Sequence, residues 1–176
     1  MSFITTPDSQ AKVYAPGWFL KNNEDCTRET REFAQNSAMV KTADNGGKYV
    51  PMGTAYPTND ANAIGIAYED VDVSSGNMPG SVVTKGEVYE DRLAVTGESY
   101  DAVTPVSGDN PSEKGWYERS GSAGAYVYTL TDDTTVTEGT TYYAKSYVRL
   151  ASAAKTALAA LGFVFTAASP TVTRPY

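Results

Sequence analysis

The segment Gly53–Leu93, GTAYPTNDANAIGIAYEDVDVSSGNMPGSVVTKGEVYEDRL, alternates short β-type runs with turn signals and carries no catalytic signature. Tyr56-Pro57-Thr58-Asn59-Asp60 is turn chemistry, Ile64–Tyr68 reads as a small buried strand, and Ser74–Gly80 reads as a second turn. Val82, Val83, Val88 and Leu93 supply the apolar runs that follow. The segment therefore predicts a compact β unit, and the remainder of the chain is read as what completes or decorates it.

The composition agrees. Glycine, threonine and tyrosine are plentiful, which favours short strands and turns over long helices, and 176 residues suffice for one domain or one domain carrying an insertion. The net charge is −7, and residues 41–100 hold four basic against nine acidic residues, a net of −5. Such a surface repels phosphate backbones, so no nucleic-acid partner is expected; the plainest role of these charges is to solvate a surface. One cysteine, Cys26, cannot form an intrachain disulfide, which fits synthesis in a reducing cytoplasm. The first ten residues, MSFITTPDSQ, lack a signal-peptide pattern, and no stretch approaches the ~20 apolar residues of a membrane span, so no membrane partner is expected.

Residues 1–50 are polar and broken by Pro7, Pro16-Gly17, Asn22-Asn23 and Asn45-Gly46-Gly47, with few apolar anchors, among them Trp18, Phe19 and Phe33. Two readings are open. In one, residues 1–49 form an extended arm that buries Trp18, Phe19 and Phe33 against another protein, where the two adjacent rings would contribute several kcal/mol at ~25 cal/mol per Å2. In the other, the arm folds back on its own domain.

From Ser99 to about Ser152 the texture changes to tyrosine-rich runs between turns: Trp116–Arg119, Tyr126–Leu130, Thr134–Val136 and Thr141–Val148 read as strands of a small antiparallel meander. Ala151–Leu161, ASAAKTALAAL, is the one convincing helix, with Ala154, Leu158 and Leu161 on one face and Gly162 in the C-cap position. The strand Phe163–Thr166 follows at once.

Chemistry is scarce. The chain has no histidine, which removes Ser-His-Asp and Cys-His triads and the commonest zinc ligand. Cys26 lies beside Glu24 and Asp25, whose charge opposes thiolate formation. Neighbouring carboxylates such as Glu90-Asp91 alternate across a strand instead of facing each other over a cleft, and Asp70 and Asp72 lack the rest of a calcium loop. The glycine-rich stretches lack the Lys-Ser/Thr of a phosphate loop. No enzyme activity, cofactor or metal is expected. Trp116, Tyr117, Tyr126, Tyr128, Tyr142, Tyr143 and Tyr147 could form an aromatic platform that stacks on sugars or contacts protein, with Trp116, Tyr117, Tyr126 and Tyr128 the leading candidates, although half or more of these rings are needed simply to fill a small core.

In order, Gly53, Pro57, Asn59, Asp60, Ala61, Gly65, Ile66, Asp70, Val71, Asp72, Val73, Gly86, Val88, Glu90, Asp91, Arg92 and Leu93 reproduce a pattern that resembles the head fiber and capsid decoration proteins of tailed bacteriophages. That pattern is a glycine-led strand, a Pro-x-Asn-Asp-Ala turn, a Gly-Ile strand, an Asp-Val-Asp-Val stretch and a Gly-x-Val-x-Glu-Asp-Arg-Leu strand. The GWYE and YTLTDDTTVTEGTTYY runs are also similar to small β modules of phage structural proteins. In the resembled family a helix-Gly-Phe-Val-Phe element closes the same domain. The resemblance thus implies a mainly β fold: an N-terminal arm (1–49), a β-rich decoration domain with one short C-terminal helix (50–98 and 151–170), and an inserted antiparallel β meander (99–150). It implies a virion structural protein on the outer capsid surface, with the major capsid protein as partner and a homo-oligomer, a trimer given the three-fold positions of capsid lattices. Trp18, Phe19, Phe33, Tyr56, Asn59 and Asp60 are the expected capsid contacts. The alternative is a carbohydrate- or cell-surface-binding module carried by the aromatic insert.

Overall fold

A computed structural model of the chain describes residues 15–167, and the fold is mainly β with one short helix. The first part of the chain supplies β1 (Thr27–Phe33), β2 (Lys41–Thr42), β3 (Lys48–Val50), β4 (Ala55–Tyr56), β5 (Gly65–Ala67), β6 (Val71–Asp72), β7 (Met78–Lys85) and β8 (Glu87–Tyr89). A 3-10 turn over Glu90–Arg92 ends this run. Then come β9 (Gly97–Ala102), β10 (Tyr117–Ser120), β11 (Val127–Leu130) and β12 (Tyr142–Val148), followed by the helix α1 (Ser152–Ala160) and β13 (Val164–Thr166). The chain divides into two compact units. One, the base, holds the described residues up to Thr96 and those from Arg149 onward; the other is Gly97–Val148.

The base is built around β5 and β7. Its main sheet has the order β1-β7-β5-β4, all antiparallel, and β2-β3-β6 form a second antiparallel sheet. Ile66 pairs with Val83 and Ala67 with Val82, and successive side chains point to opposite faces. Ile66 and Val83 therefore enter one core with Phe19, Leu20, Val88, Leu93, Leu158 and Phe163, while Ala67 and Val82 enter another with Phe33, Met39, Val50, Val71 and Val73. Burial on both faces is why these strands read as continuous apolar runs instead of alternating ones.

The helix and last strand belong to the base. β13 runs parallel to β8, pairing Phe165 with Val88, and Ala154 and Leu158 are buried in the first core. Gly162, at φ 97°, ends the helix, where Gly162 N–H donates to Ala159 O and Phe163 N–H to Leu158 O. Leu161, expected on the buried face, is 47% exposed. The apolar face is thus only two side chains deep. Among the described residues no helix is long and apolar enough to cross a membrane.

The expectation of an extended arm over 1–49 is corrected for its described portion. Phe19 and Phe33 are fully buried, and the backbone from Gly17 to Phe33 is tied into the sheet system: Gly17 N–H donates to Tyr68 O, Tyr89 N–H to Phe19 O, Lys21 N–H to Glu87 O, and β1 pairs along its length with β7. Residues 1–14 of that stretch lie outside the described residues, as do residues 168–170 at the C-terminal boundary. Glu90–Arg92, expected to continue a strand, turns so that Glu90 meets Lys155 of α1 at 2.7 Å.

Asn59 fastens the two segments of the base together. Its Oδ1 accepts from Ala151 N–H at 3.0 Å, and its Nδ2 donates to Arg149 O at 3.2 Å and Thr96 Oγ1 at 3.3 Å. Thr96 Oγ1 donates to Arg149 O at 3.1 Å, so the two strands of chain that leave and re-enter the base are in contact. Ala151 precedes α1 and has no side-chain cap of its own. Replacing Asn59 by Ala is expected to lower stability by about 1–3 kcal/mol, because these partly buried partners lose their bonds. Asn59→Asp keeps the acceptor and is expected to lose less; urea denaturation of both variants checks the order.

The inserted unit is one antiparallel sheet in the order β11-β10-β12-β9. The last strand sits between the first two, so the sheet is not the sequential meander that the run of turns suggested. Thr134–Val136, expected as a strand, is loop. It connects β11 to β12 and is stapled by Asp133, whose carboxylate accepts from the Tyr142 hydroxyl and from Thr137 Oγ1.

Candidate binding surfaces

The six residues expected to contact a partner part company in the base. Phe19 and Phe33 are core. Trp18 is half-buried, with the Arg92 guanidinium 3.9 Å from its ring and Arg92 Nη1 donating to its carbonyl at 3.2 Å. Arg92 is also 4.6 Å from the Tyr89 ring, so the cation is held between two aromatic faces. Tyr56 packs on Phe33 at 5.0 Å and donates its hydroxyl to Glu32 O at 3.0 Å. Asn59 is the fastening just described. Only Asp60 is fully exposed among the six, and its carboxylate accepts from Asn62 N–H at 2.7 Å and Thr58 Oγ1 at 2.8 Å, bonds that hold its pKa below the usual aspartate range. Beside this turn Ile64 is 40% exposed.

The four platform candidates also separate. Residues paired across the ladder share a face, which places Tyr100, Tyr117, Tyr128, Tyr143, Arg119, Lys145 and Tyr147 on one side of the inserted sheet and Tyr142 on the other. Tyr100 and Tyr128 stand on the two outermost strands, whose axes would lie roughly 14 Å apart in a flat sheet, yet their rings stack at 4.0 Å. The sheet curls around them. Tyr117 lies edge-on to Tyr100 at 5.2 Å and Tyr143 edge-on to Tyr128 at 5.2 Å, so Tyr117 and Tyr128 fill the curl. Trp116 belongs to the opposite face, 5.8 Å from buried Tyr142. Of the four, only Tyr126 presents its ring, 43% exposed beneath the Arg119 guanidinium at 4.2 Å. Of the wider tyrosine set, Tyr147, 56% exposed and 5.3 Å from Lys145 Nζ, is a second exposed ring.

A loop carboxylate supports this unit. Asp109 is met by Lys114 Nζ at 2.6 Å and accepts from Val106 N–H at 2.9 Å, and the lysine contact above all holds its pKa below the usual aspartate range. A depressed folded-state pKa contributes stability that is present above the unfolded value and is lost as pH falls through the folded one. Asp109→Asn is therefore expected to weaken the inserted unit at about pH 7, with the difference from the parent shrinking as pH falls below the unfolded value and through the folded one, as read by thermal melting across the acid range.

Other chemistry is sparse. An open depression of about 590 Å3 is lined by Lys21, Asp25, Lys85 and Glu87 among others, and Lys21 is already paired with Glu87 at 2.9 Å. Asp70 accepts from Met52 N–H, a bond between distant segments of the base, and Asp72 accepts from Ser74 N–H within its own turn, so both carboxylates serve structure. Among the described residues no group of three or more His, Cys, Asp or Glu side chains could hold a metal ion. Cys26 is half-buried, with its thiol donating to Asn23 O at 3.3 Å. Compared with protein-family models, with curated proteins and with solved structures, the chain matches none.

Proposed function

We propose that this chain is a virion structural protein of a tailed bacteriophage that docks on the outer surface of the assembled capsid and stabilises it, as head fiber and decoration proteins do. The ordered resemblance from Gly53 to Leu93 carries the reading. Supporting it, several residues of that set are framework: Gly53 and Gly65 admit close backbone approach, Asn59 joins Ala151 and Arg149, Glu90 meets Lys155, and Leu93 is core. A fold whose distinctive residues hold a scaffold together, with an insertion emerging from one fastened root, suits display on a larger assembly.

With Phe19 and Phe33 internal, the docking surface falls to what remains exposed near the turn, Asp60 and Ile64. A subunit that binds only the expanded lattice adds RT ln(1 + [L]/Kd) per site to shell stability. Mixing the purified chain with undecorated expanded capsids should give stoichiometric uptake and a higher capsid melting temperature, both reduced by Ile64→Glu. No binding to capsids in either the compact or the expanded state defeats the reading.

A second reading, recognition of carbohydrate by the inserted unit, draws on Tyr126 and Tyr147, exposed rings accompanied by Arg119 and Lys145. Binding of the full chain on a glycan array that is lost on Tyr126→Ala or Tyr147→Ala would support it, and a blank array would remove it.

A further inference from the structure

The longest exposed strand of the base is β1, Thr27-Arg28-Glu29-Thr30-Arg31-Glu32-Phe33, in which every residue but Phe33 is exposed. It is the terminal strand of its sheet, bonded to β7 on one side, and no strand among the described residues covers its other side. Tyr68 N–H donates to Ser81 O, so Ser81 turns its main-chain groups toward β5; alternation then turns Gly80 and Val82 toward β1, opposite Arg31 and Glu29. Arg28, Thr30 and Glu32 consequently direct their N–H and C=O groups to the open edge. Glu32 O already accepts the Tyr56 hydroxyl there and retains its second lone pair.

Edge strands are commonly protected from pairing by charged side chains, lysine above all, or by proline, and β1 holds neither lysine nor proline. This edge carries two arginines and two glutamates in an order that changes sign when reversed. If a second β1 runs antiparallel with Thr30 opposite Thr30, Arg28 faces Glu32 and Glu29 faces Arg31, and the same residues repeat on the other side of the axis. The outward main-chain groups of Arg28, Thr30 and Glu32 meet their counterparts in that register. A slip that sets Arg28 opposite Thr30 brings Glu29 onto Glu29, the opposite slip brings Arg31 onto Arg31, and parallel pairing in register stacks like on like throughout. Opposite charges directly across a ladder stabilise it and like charges oppose it.

We propose that β1 is a homotypic docking edge: two copies of this chain join antiparallel about a two-fold axis at Thr30, continuing the β1-β7-β5-β4 sheet across the dimer. Each copy offers one such edge, so the pairing closes at two. The proposal does not depend on a virion role. A ladder this short is a small interface, and association in solution is expected between about 10 µM and about 1 mM.

Sedimentation of the full chain over that range tests it. The parent should show reversible dimers. Arg28→Glu with Arg31→Glu makes the edge uniformly acidic, and Glu29→Arg with Glu32→Arg makes it uniformly basic; each alone should lose at least about tenfold in dimer affinity, and an equimolar mixture should form heterodimers. Because Arg28 also lies 4.4 Å from the Tyr68 ring and Glu32 takes a bond from Asn77, thermal melting first checks that each variant is folded. If either is not, Thr30→Cys in a Cys26→Ser background provides the second measurement, expected to cross-link under mild oxidation faster than a cysteine at exposed Ser120. A monomeric parent, an oligomer that persists in both charge variants, a mixture that stays monomeric, absence of the residue-30 cross-link, or dimers that appear only after deletion of residues 1–14 would each overturn the proposal.

Discussion

Phe19→Ala is expected to lower the stability of the base by about 3–5 kcal/mol, the usual cost of truncating a fully buried aromatic ring. Phe19 is completely shielded and shares its core with Leu20, Ile66, Val83, Val88, Leu93, Leu158 and Phe163, so the cavity would open where β5, β7, β8 and α1 all converge. The surroundings have little freedom to collapse, since the Phe19 carbonyl is bonded to Tyr89 N–H at 2.8 Å and its neighbour Leu20 bridges to Val88. At roughly 2–4 °C per kcal/mol for a chain of this length, the base transition should fall by about 6–20 °C. Trp18→Ala, which removes a half-buried ring and its contact with Arg92, should cost less. The experiment also separates the two readings of the N-terminal segment. A docking arm would show an unchanged melting temperature and a lost partner; a core residue shows the reverse order, stability first.

The same residue marks where sequence patterning stopped being informative. Val82-Val83 and Gly65-Ile66-Ala67 are legible as strands because burial on both faces leaves an uninterrupted apolar run, and α1 is legible because alanine dominates it and Gly162 stands where a helix must turn. β1 is not legible. Its residues are exposed on both faces, so TRETREF has neither apolar alternation nor an apolar run, and its strand state is imposed by pairing with β7. Phe19 and Phe33 stand singly in polar surroundings, and nothing local distinguishes an aromatic ring that anchors its own segment from one that anchors a partner. The segment from Phe19 to Phe33 is then best understood as the part of the core that arrives without a periodic pattern.

Among the candidate surface residues the difficulty is one of faces. Trp116 and Tyr117 are adjacent, which in a strand sends them to opposite sides, one toward Tyr142 and one into the tyrosine curl. That much the spacing contains. What it does not contain is the strand order: with β12 between β10 and β9, Tyr143 comes to lie opposite Tyr117 and the outer strands bring Tyr100 onto Tyr128. A sequential order would pair other residues and leave different rings exposed. Local sequence thus specifies which residues can share a face, and the non-local pairing decides which of them remain available to a ligand.

Gly65→Ala is expected to be nearly as damaging as the loss of Phe19, at about 3 kcal/mol, although it adds one methyl group. A Cβ at position 65 would stand 2.4 Å from Val82 Cγ1 and 2.5 Å from Val83 O. The first of these could turn away; the second is main chain, held in register by the pairing of Ile66 with Val83 and of β7 with β1 beyond it. Relief would require β5 and β7 to separate, and both cores are assembled on that pair of strands. The requirement is for space alone, because Gly65 is not among the glycines with positive φ. Gly53→Ala combines a φ of 81° with a Cβ position 2.9 Å from Ala94 N, adding a left-handed cost of about 1–2 kcal/mol to the contact. Gly97→Ala is the control: nothing lies within 4 Å of its Cβ position and its φ is outside the left-handed range, so the change should be neutral or stabilising by up to about 1 kcal/mol. Urea titration of the three variants should rank them Gly65 and Gly53 far below Gly97. A Gly65→Ala protein within about 0.5 kcal/mol of the parent, an ordinary surface-substitution effect, would mean that β5 and β7 can part without loss. The Gly-Ile element of the phage resemblance would then lack the packing reason given for it.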